Sequence, residues 1–175
     1  MREWCRFLIV CVLGALAGPA VWAQPPKPAP EMERLKKFEG NWDATIKMGD
    51  MESKATATYK IDLGGMWLVG DFQGEFGGMK FQGKGMDTYD ANKKKYVSVW
   101  IDSMSSSPLI LEGNPDKDGK VMTMTGEGPG ENGKPTKLKT TSQWTDKDTV
   151  VWTMATLDKD GKDQPMMTIT YKRKK

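Results

Sequence analysis

From Trp42 to the C-terminus, apolar and polar residues alternate with a period of two in short runs broken by Gly, Asp, Asn and Lys. A strand with one dry and one wet face has that spacing, and a helix does not. Ten such runs are expected, near 41–48, 53–61, 66–75, 79–88, 95–104, 107–113, 120–127, 136–145, 149–157 and 165–173. The breaks carry turn chemistry, as in Asp62-Leu63-Gly64-Gly65, Gly77-Gly78, Asp116-Lys117-Asp118-Gly119 and Asp158-Lys159-Asp160-Gly161. Gly supplies positive φ there, and Asp bonds its own backbone. Successive strands joined by hairpins leave two long edges open unless they meet, so an all-β, antiparallel up-and-down barrel is expected.

Polar stripes decide which face of that barrel is wet. Lys54, Thr56, Thr58 and Lys60 alternate with Ala55, Ala57, Tyr59 and Ile61, and Lys137, Lys139, Thr141 and Gln143 with Leu138, Thr140, Ser142 and Trp144. An outer-membrane barrel would turn its apolar stripe to lipid. With a mean hydropathy of −0.59 and Lys at nearly every turn, the polar stripe belongs in water instead. The apolar stripe then lines the inside, where about ten strands enclose a lumen too wide for short side chains to fill.

The alternation nominates Met66, Leu68, Phe72, Phe81, Tyr96, Trp100, Trp144, Trp152 and Met154 as that lining, walls suited to a small apolar or amphipathic molecule. Asp102 shares the face of Trp100, and a carboxylate there is costly unless paired or hydrogen-bonded. It is the candidate polar anchor, with a structural salt bridge to Arg173 or a Lys as the alternative. Trp67, Val69 and Val151 take the opposite phase and could seed an outer patch, which would make the barrel an interaction scaffold.

The N-terminus is read separately. Arg2 and Arg6, the apolar run Phe7 to Ala17, and Val21-Trp22-Ala23 form the succession of a secretory signal peptide cut after Ala23. The run of about 11 apolar residues is shorter than the roughly 20 of a membrane span. Residues 24–31 hold four prolines and read as an extended linker. The domain is expected over 32–175, opening with a short helix over Glu31 to Phe38 that Gly40 stops. Export to the periplasm or outside the cell follows, as a monomer.

Several chemistries are excluded by composition. The chain has no His, so no Ser-His-Asp or Cys-His nucleophile, His-ligated metal or imidazole proton relay can be built. Both cysteines, Cys5 and Cys11, fall in the leader, so the mature chain forms no disulfide. Lys plus Arg number 26 against 23 Asp plus Glu, a balance that does not point to nucleic acid. The methionines, among them Met79, Met104, Met122, Met124, Met166 and Met167, lack the spacing of copper(I) clusters and suit a plastic lining. No metal or cofactor is expected. Catalysis would need convergence among Asp71, Asp87, Asp102 and Glu112 with Tyr59, Tyr96 and Tyr171, which spacing does not reveal.

Phe38-Glu39-Gly40-Asn41-Trp42-Asp43, a helix end followed by Gly-x-Trp, is similar to the opening motif of calycin barrels such as lipocalins and nitrobindins. Leu63-Gly64-Gly65, Phe81-Gln82-Gly83, Tyr89-Asp90, Lys95-Tyr96-Val97 and Val99-Trp100-Ile101-Asp102-Ser103-Met104 resemble the domain-of-unknown-function 1579 family, over about 32 to 173. The resemblance implies a calycin-like barrel, exported and bacterial, with no established activity. It also implies that a basic residue on the last strand, here Arg173, covers the Trp42 indole. Nitrobindins hold haem through a histidine, which this chain lacks.

Overall fold

The computed structural model of the protein describes residues 27–129 and 134–175. The expected leader and the first residues of the proline-rich linker lie outside the described residues. A short helix, α1 (Met32–Lys36), precedes the strands. These are β1 (Gly40–Met48), β2 (Met51–Asp62), β3 (Trp67–Phe76), β4 (Met79–Asp90), β5 (Lys95–Asp102), β6 (Ser105–Pro115), β7 (Val121–Pro129), β8 (Pro135–Asp146), β9 (Thr149–Leu157) and β10 (Asp163–Arg173). They close into one antiparallel barrel in which every strand lies beside its chain neighbours and β1 lies beside β10. Each expected run is a strand.

Two local departures have physical reasons. Leu63–Gly65 forms a single 3-10 turn, because the Asp62 carboxylate accepts the Leu63 N–H and Gly64 supplies a φ of 71°. The end of the linker is also drawn onto the barrel. The Met32 N–H donates to the Ala29 carbonyl, and the Tyr96 hydroxyl donates to the Glu31 carbonyl at 3.0 Å. The helix ends at Lys36, before Phe38, whose ring turns in to meet Trp42, Tyr59 and Trp144.

The closing seam is a three-way joint. Trp42 is 0% exposed, and its indole Nε1 donates to the Phe38 carbonyl at 2.8 Å, tying β1 to the end of α1. Arg173 stands directly across the β1–β10 ladder from Trp42, with its guanidinium 4.2 Å from the ring centroid. The same guanidinium donates to the carbonyls of Lys37 at 2.6 Å and Glu39 at 2.5 Å. Gly40 has φ of 119°, and a Cβ there would lie 3.0 Å from Arg173 Nη1, so both the turn and the cation require glycine.

Around this joint Ala44, Ile46, Ala57, Phe72, Val150 and Ile169 pack as one buried cluster. A second cluster of Met32, Leu35, Leu68, Tyr96 and Met122 seats α1 across the same end of the barrel. That end is therefore a floor, and the hairpins at the other end form the mouth. Among the described residues no helix is long and apolar enough to cross a membrane.

Trp42→Ala should cost about 3–5 kcal/mol of unfolding free energy, the range for emptying a large buried aromatic site. Denaturant titration measures this, and a loss below about 1 kcal/mol would mean that the indole does not hold the seam.

Candidate functional site

Antiparallel pairing carries one inward phase around the whole barrel. Trp42 faces Ala57, Ala57 faces Phe72, and Phe72 faces Gly83, which in turn faces Asp102. On the far wall Met124 faces Thr140, and Thr140 faces Met154. Glycines on this phase make room for rings lying flat on the wall. A Cβ on Gly83 would stand 2.1 Å from Trp100, and one on Gly70 2.4 Å from Tyr59. Phe72, Phe81 and Trp100 pack together, with Phe81 stacked on Trp100 at 6.3 Å and an 18° interplanar angle.

The lumen is not filled solid. Trp100, Trp152 and Met154 face inward yet are only half-buried. The deepest polar group is Asp87 on β4. It lies opposite Leu68 on one side and Ser98 on the other, and the Ser98 side chain beside it favours its ionised form. Tyr59 and Tyr171 meet across the seam with centroids 6.4 Å apart in edge-on geometry. Asp87 lies close enough to both phenols for its charge to raise their pKa values.

Burial dominates the electrostatics of this cluster. It pushes the Asp87 carboxyl up to about 6, with the neighbouring Ser98 side chain opposing it. It also pushes Tyr171 up to about 12 and Tyr59 well above its usual value. Among the described residues every strand lysine takes the outward phase, including Lys54, Lys84, Lys139 and Lys172. The inward cation is Arg173, held at the floor by its two carbonyls. Among the described residues Asp87 thus has no cationic partner in the lumen.

The nominated lining residues divide into levels. Phe72, Phe81, Trp100, Trp152 and Met154 stand on the inward phase of the barrel wall. Leu68 and Tyr96 face inward too, but α1 covers them and they belong to the floor. Trp144 joins the Phe38 and Trp42 rings beside the floor. Met66 precedes β3 at the end of the 3-10 turn, where its carbonyl accepts the Thr88 hydroxyl at 2.6 Å. Asp102 faces inward near the mouth and accepts the Trp100 indole N–H and the Met104 backbone N–H, both at 2.8 Å. That carboxylate is occupied in shaping the β5–β6 turn.

Of the acid–base candidates, Asp87, Tyr59 and Tyr171 converge. Asp71 and Glu112 face outward on Lys84 and on Lys93 and Lys95. Met79, Met104 and Met166 are exposed at the mouth, while the β-bulge between Pro165 and Met167 keeps Met167 inward.

The outer surface carries further features. A cleft of about 540 Å³ beside the floor is lined by Arg34, Lys37, Lys120, Lys147 and Arg173 around Trp144, with Asp146. Another, of about 430 Å³, lies along β3 to β5 by Lys84 and Ile101. Trp67 and Val69 lie on β3 and Val151 on β9, well apart around the barrel, so they do not form one patch. Val69 instead begins an outward apolar row with Met86, Val99 and Ile110 across β3 to β6. Ile110 is 49% exposed.

The family described as "Protein of unknown function (DUF1579)" matches residues 27–173. No curated protein sequence matches the chain. Among solved structures, the chain is similar to Rv2717c from M. tuberculosis, with 14% identity, a TM-score of 0.61, and coverage of 85% of this chain and 100% of that one. It is also similar to the S-type phycobiliprotein lyase CPES from Guillardia theta, with 10% identity, a TM-score of 0.55, and coverage of 83% and 93%. At these identities the likeness is one of fold.

Because Asp87 protonates near pH 6 in the barrel and near 3.8 when unfolded, the folded state holds the extra proton between those values. Its contribution to stability is therefore full at low pH and is lost as pH rises through 6. Asp87→Asn should raise unfolding free energy at pH 8 by up to about 3 kcal/mol and change it little at pH 4. Urea titrations at the two pH values check this, and equal effects at both would place the carboxyl in wet surroundings.

Proposed function

Because the chain belongs to the family described as "Protein of unknown function (DUF1579)", its role has to be read from its own lumen, and we propose that it is an exported carrier or receptor for a small amphipathic molecule. One observation carries this reading: large apolar side chains, Trp100, Trp152 and Met154, face the interior of a closed barrel and remain half-buried. A side chain whose only purpose is packing gains most by complete burial. Leaving indole and thioether surface wet inside a barrel is the form of an unfilled binding site. Export is supported by the basic, apolar and small-residue succession at residues 2–23. The likeness in fold to a phycobiliprotein lyase is compatible with a barrel that handles a bulky small molecule.

Catalysis in the lumen has less support. Paired carboxyls would be needed across the interior, and among the described residues Asp87 has phenols and a hydroxyl beside it instead. A docking module is favoured by a different observation, the outward row of Val69, Met86, Val99 and Ile110.

Native mass spectrometry of the protein purified from its own cell envelope separates these readings. A retained small molecule that Trp152→Ala releases is expected. A bare chain in stoichiometric assembly with a partner polypeptide, dissolved by Ile110→Lys, would replace the carrier reading with the docking one.

A further inference from the structure

The floor of the lumen differs chemically from its walls. Asp87 and Ser98 face each other there, Tyr59 lies on Gly70, which pairs with Gly85 on the same face as Asp87, and Tyr171 packs edge-on against Tyr59, above the helix-covered floor formed by Leu68 and Tyr96. We infer that this cluster is a cation-binding pocket for an amphiphile with a protonated amine head, in which Asp87 is the counter-ion, the rings of Tyr59 and Tyr171 flank the ammonium, and the apolar tail runs past Trp100 toward the mouth. The inference rests on the reading of the lumen as a ligand site and names the class of ligand.

Three observations support the sign of the charge. The first is that the formal charges lining the interior above Arg173 are carboxylates, Asp87 deep and Asp102 near the mouth. An anionic head would enter a field of its own sign, at a cost that rises as the surroundings dry. The second is that Asp102 already accepts two N–H donors, whereas Asp87 has the Ser98 side chain facing it and leaves acceptor capacity for a ligand. A carboxylate in that position is stabilised by charge-assisted hydrogen bonds from an ammonium. The third is the aromatic company, since a cation held beside the faces of Tyr rings gains ring-quadrupole attraction that strengthens on desolvation. Along β4, the path from Asp87 to Met79 at the mouth spans roughly 20 Å of barrel height after strand tilt, room for an extended tail.

Acidity should report on the same site. The titratable neighbours of Asp87 are phenols, Tyr59 from β2, Tyr171 from β10, Tyr89 from β4 and Tyr96 from β5, and all are raised above the ordinary tyrosine value. Glu31 and Arg34 stand with α1 on the other side of the floor. The chain has no histidine. A binding midpoint near pH 6 therefore has Asp87 as its source.

The test compares dodecylamine, dodecanol and dodecanoate, each below its micellar concentration, by quenching of tryptophan fluorescence near pH 7.5. The amine should bind at least about ten-fold more tightly than the carboxylate, as expected of one desolvated charge pair against a repulsion. Asp87→Asn should erase that preference and leave dodecanol binding in place, while Asp43→Asn on the outer wall should keep it. Lowering the pH through 6 should weaken amine binding to the wild-type chain and not to Asp87→Asn. Circular dichroism confirms that the variants fold. Equal affinity for the three probes, or preference for dodecanoate, overturns the cation pocket and leaves the lumen reading standing. Failure of all three to bind overturns both.

Discussion

The contact between Arg173 and Trp42 is the point on which the rest of the barrel depends. A ten-stranded meander has one pairing that sequence neighbours do not supply, that of the first strand with the last. Six residue pairs from Trp42↔Arg173 to Lys47↔Thr168 make that pairing. At its floor end a buried indole, a cation over its face and two carbonyls from the helix end are all satisfied by one another. A cation–π contact with a partly exposed cation contributes about 1 kcal/mol, and here it also fixes where α1 sits. Loss of the seam would free two strand edges and unseat the plug together. The same joint makes the barrel one-ended, since the helix closes the floor and leaves entry to the mouth.

Width follows from strand number, and the chain manages the excess space unevenly. On β3 and β4, glycines let Tyr59 and Trp100 lie against the wall, so rings fill one side of the interior without displacing the backbone. The opposite wall of β7 to β9 carries Met124, Thr140, Trp152 and Met154, with no comparable stack of rings across it. Space is left between the two walls. A polar cluster at the bottom of such a space is unfavourable for folding alone, because a buried carboxylate without a cation opposes ionisation. A side chain that works against the stability of its own fold accords with the binding role proposed for the lumen.

Much of this architecture was legible in the alternation of residues. Strand extents, hairpin order, the wet outer face and the inward phase of Phe72, Phe81, Trp100, Trp152 and Met154 could be read because short turns join neighbouring strands and carry register from one to the next. The family resemblance rests on Gly40 and Trp42, on Phe81, Tyr96 and Trp100 of these inward faces, and on turn residues such as Leu63-Gly64-Gly65. Depth was not legible. Alternation assigns a face but no height, so Leu68 and Tyr96 looked like lining until α1 was seen to cover them. The two carboxylates were also indistinguishable in pattern. Asp102 stood out for its neighbour Trp100, but the indole N–H and the turn at Met104 use it. Asp87 shares its phase with Gly85 and Tyr89, and that was its one signal in the sequence. Its isolation depends on what stands across the lumen, which no local pattern contains.

The distribution of charge gives the arrangement its direction. The chain carries a net charge of +3, and its basic groups concentrate outside the wall, with Arg34, Lys37, Lys120 and Lys147 around the cleft behind the floor. None of them appears among the influences on Asp87, whose shift comes from burial and Ser98. Among the described residues the fold therefore supplies no cation beside Asp87. Below about pH 6 a proton meets that need; above it, the charge has to come from solvent or from a guest. A pocket that is neutral when empty in acid and ionised in neutral surroundings changes its appetite for a cationic guest as pH passes through about 6, and does so without a histidine.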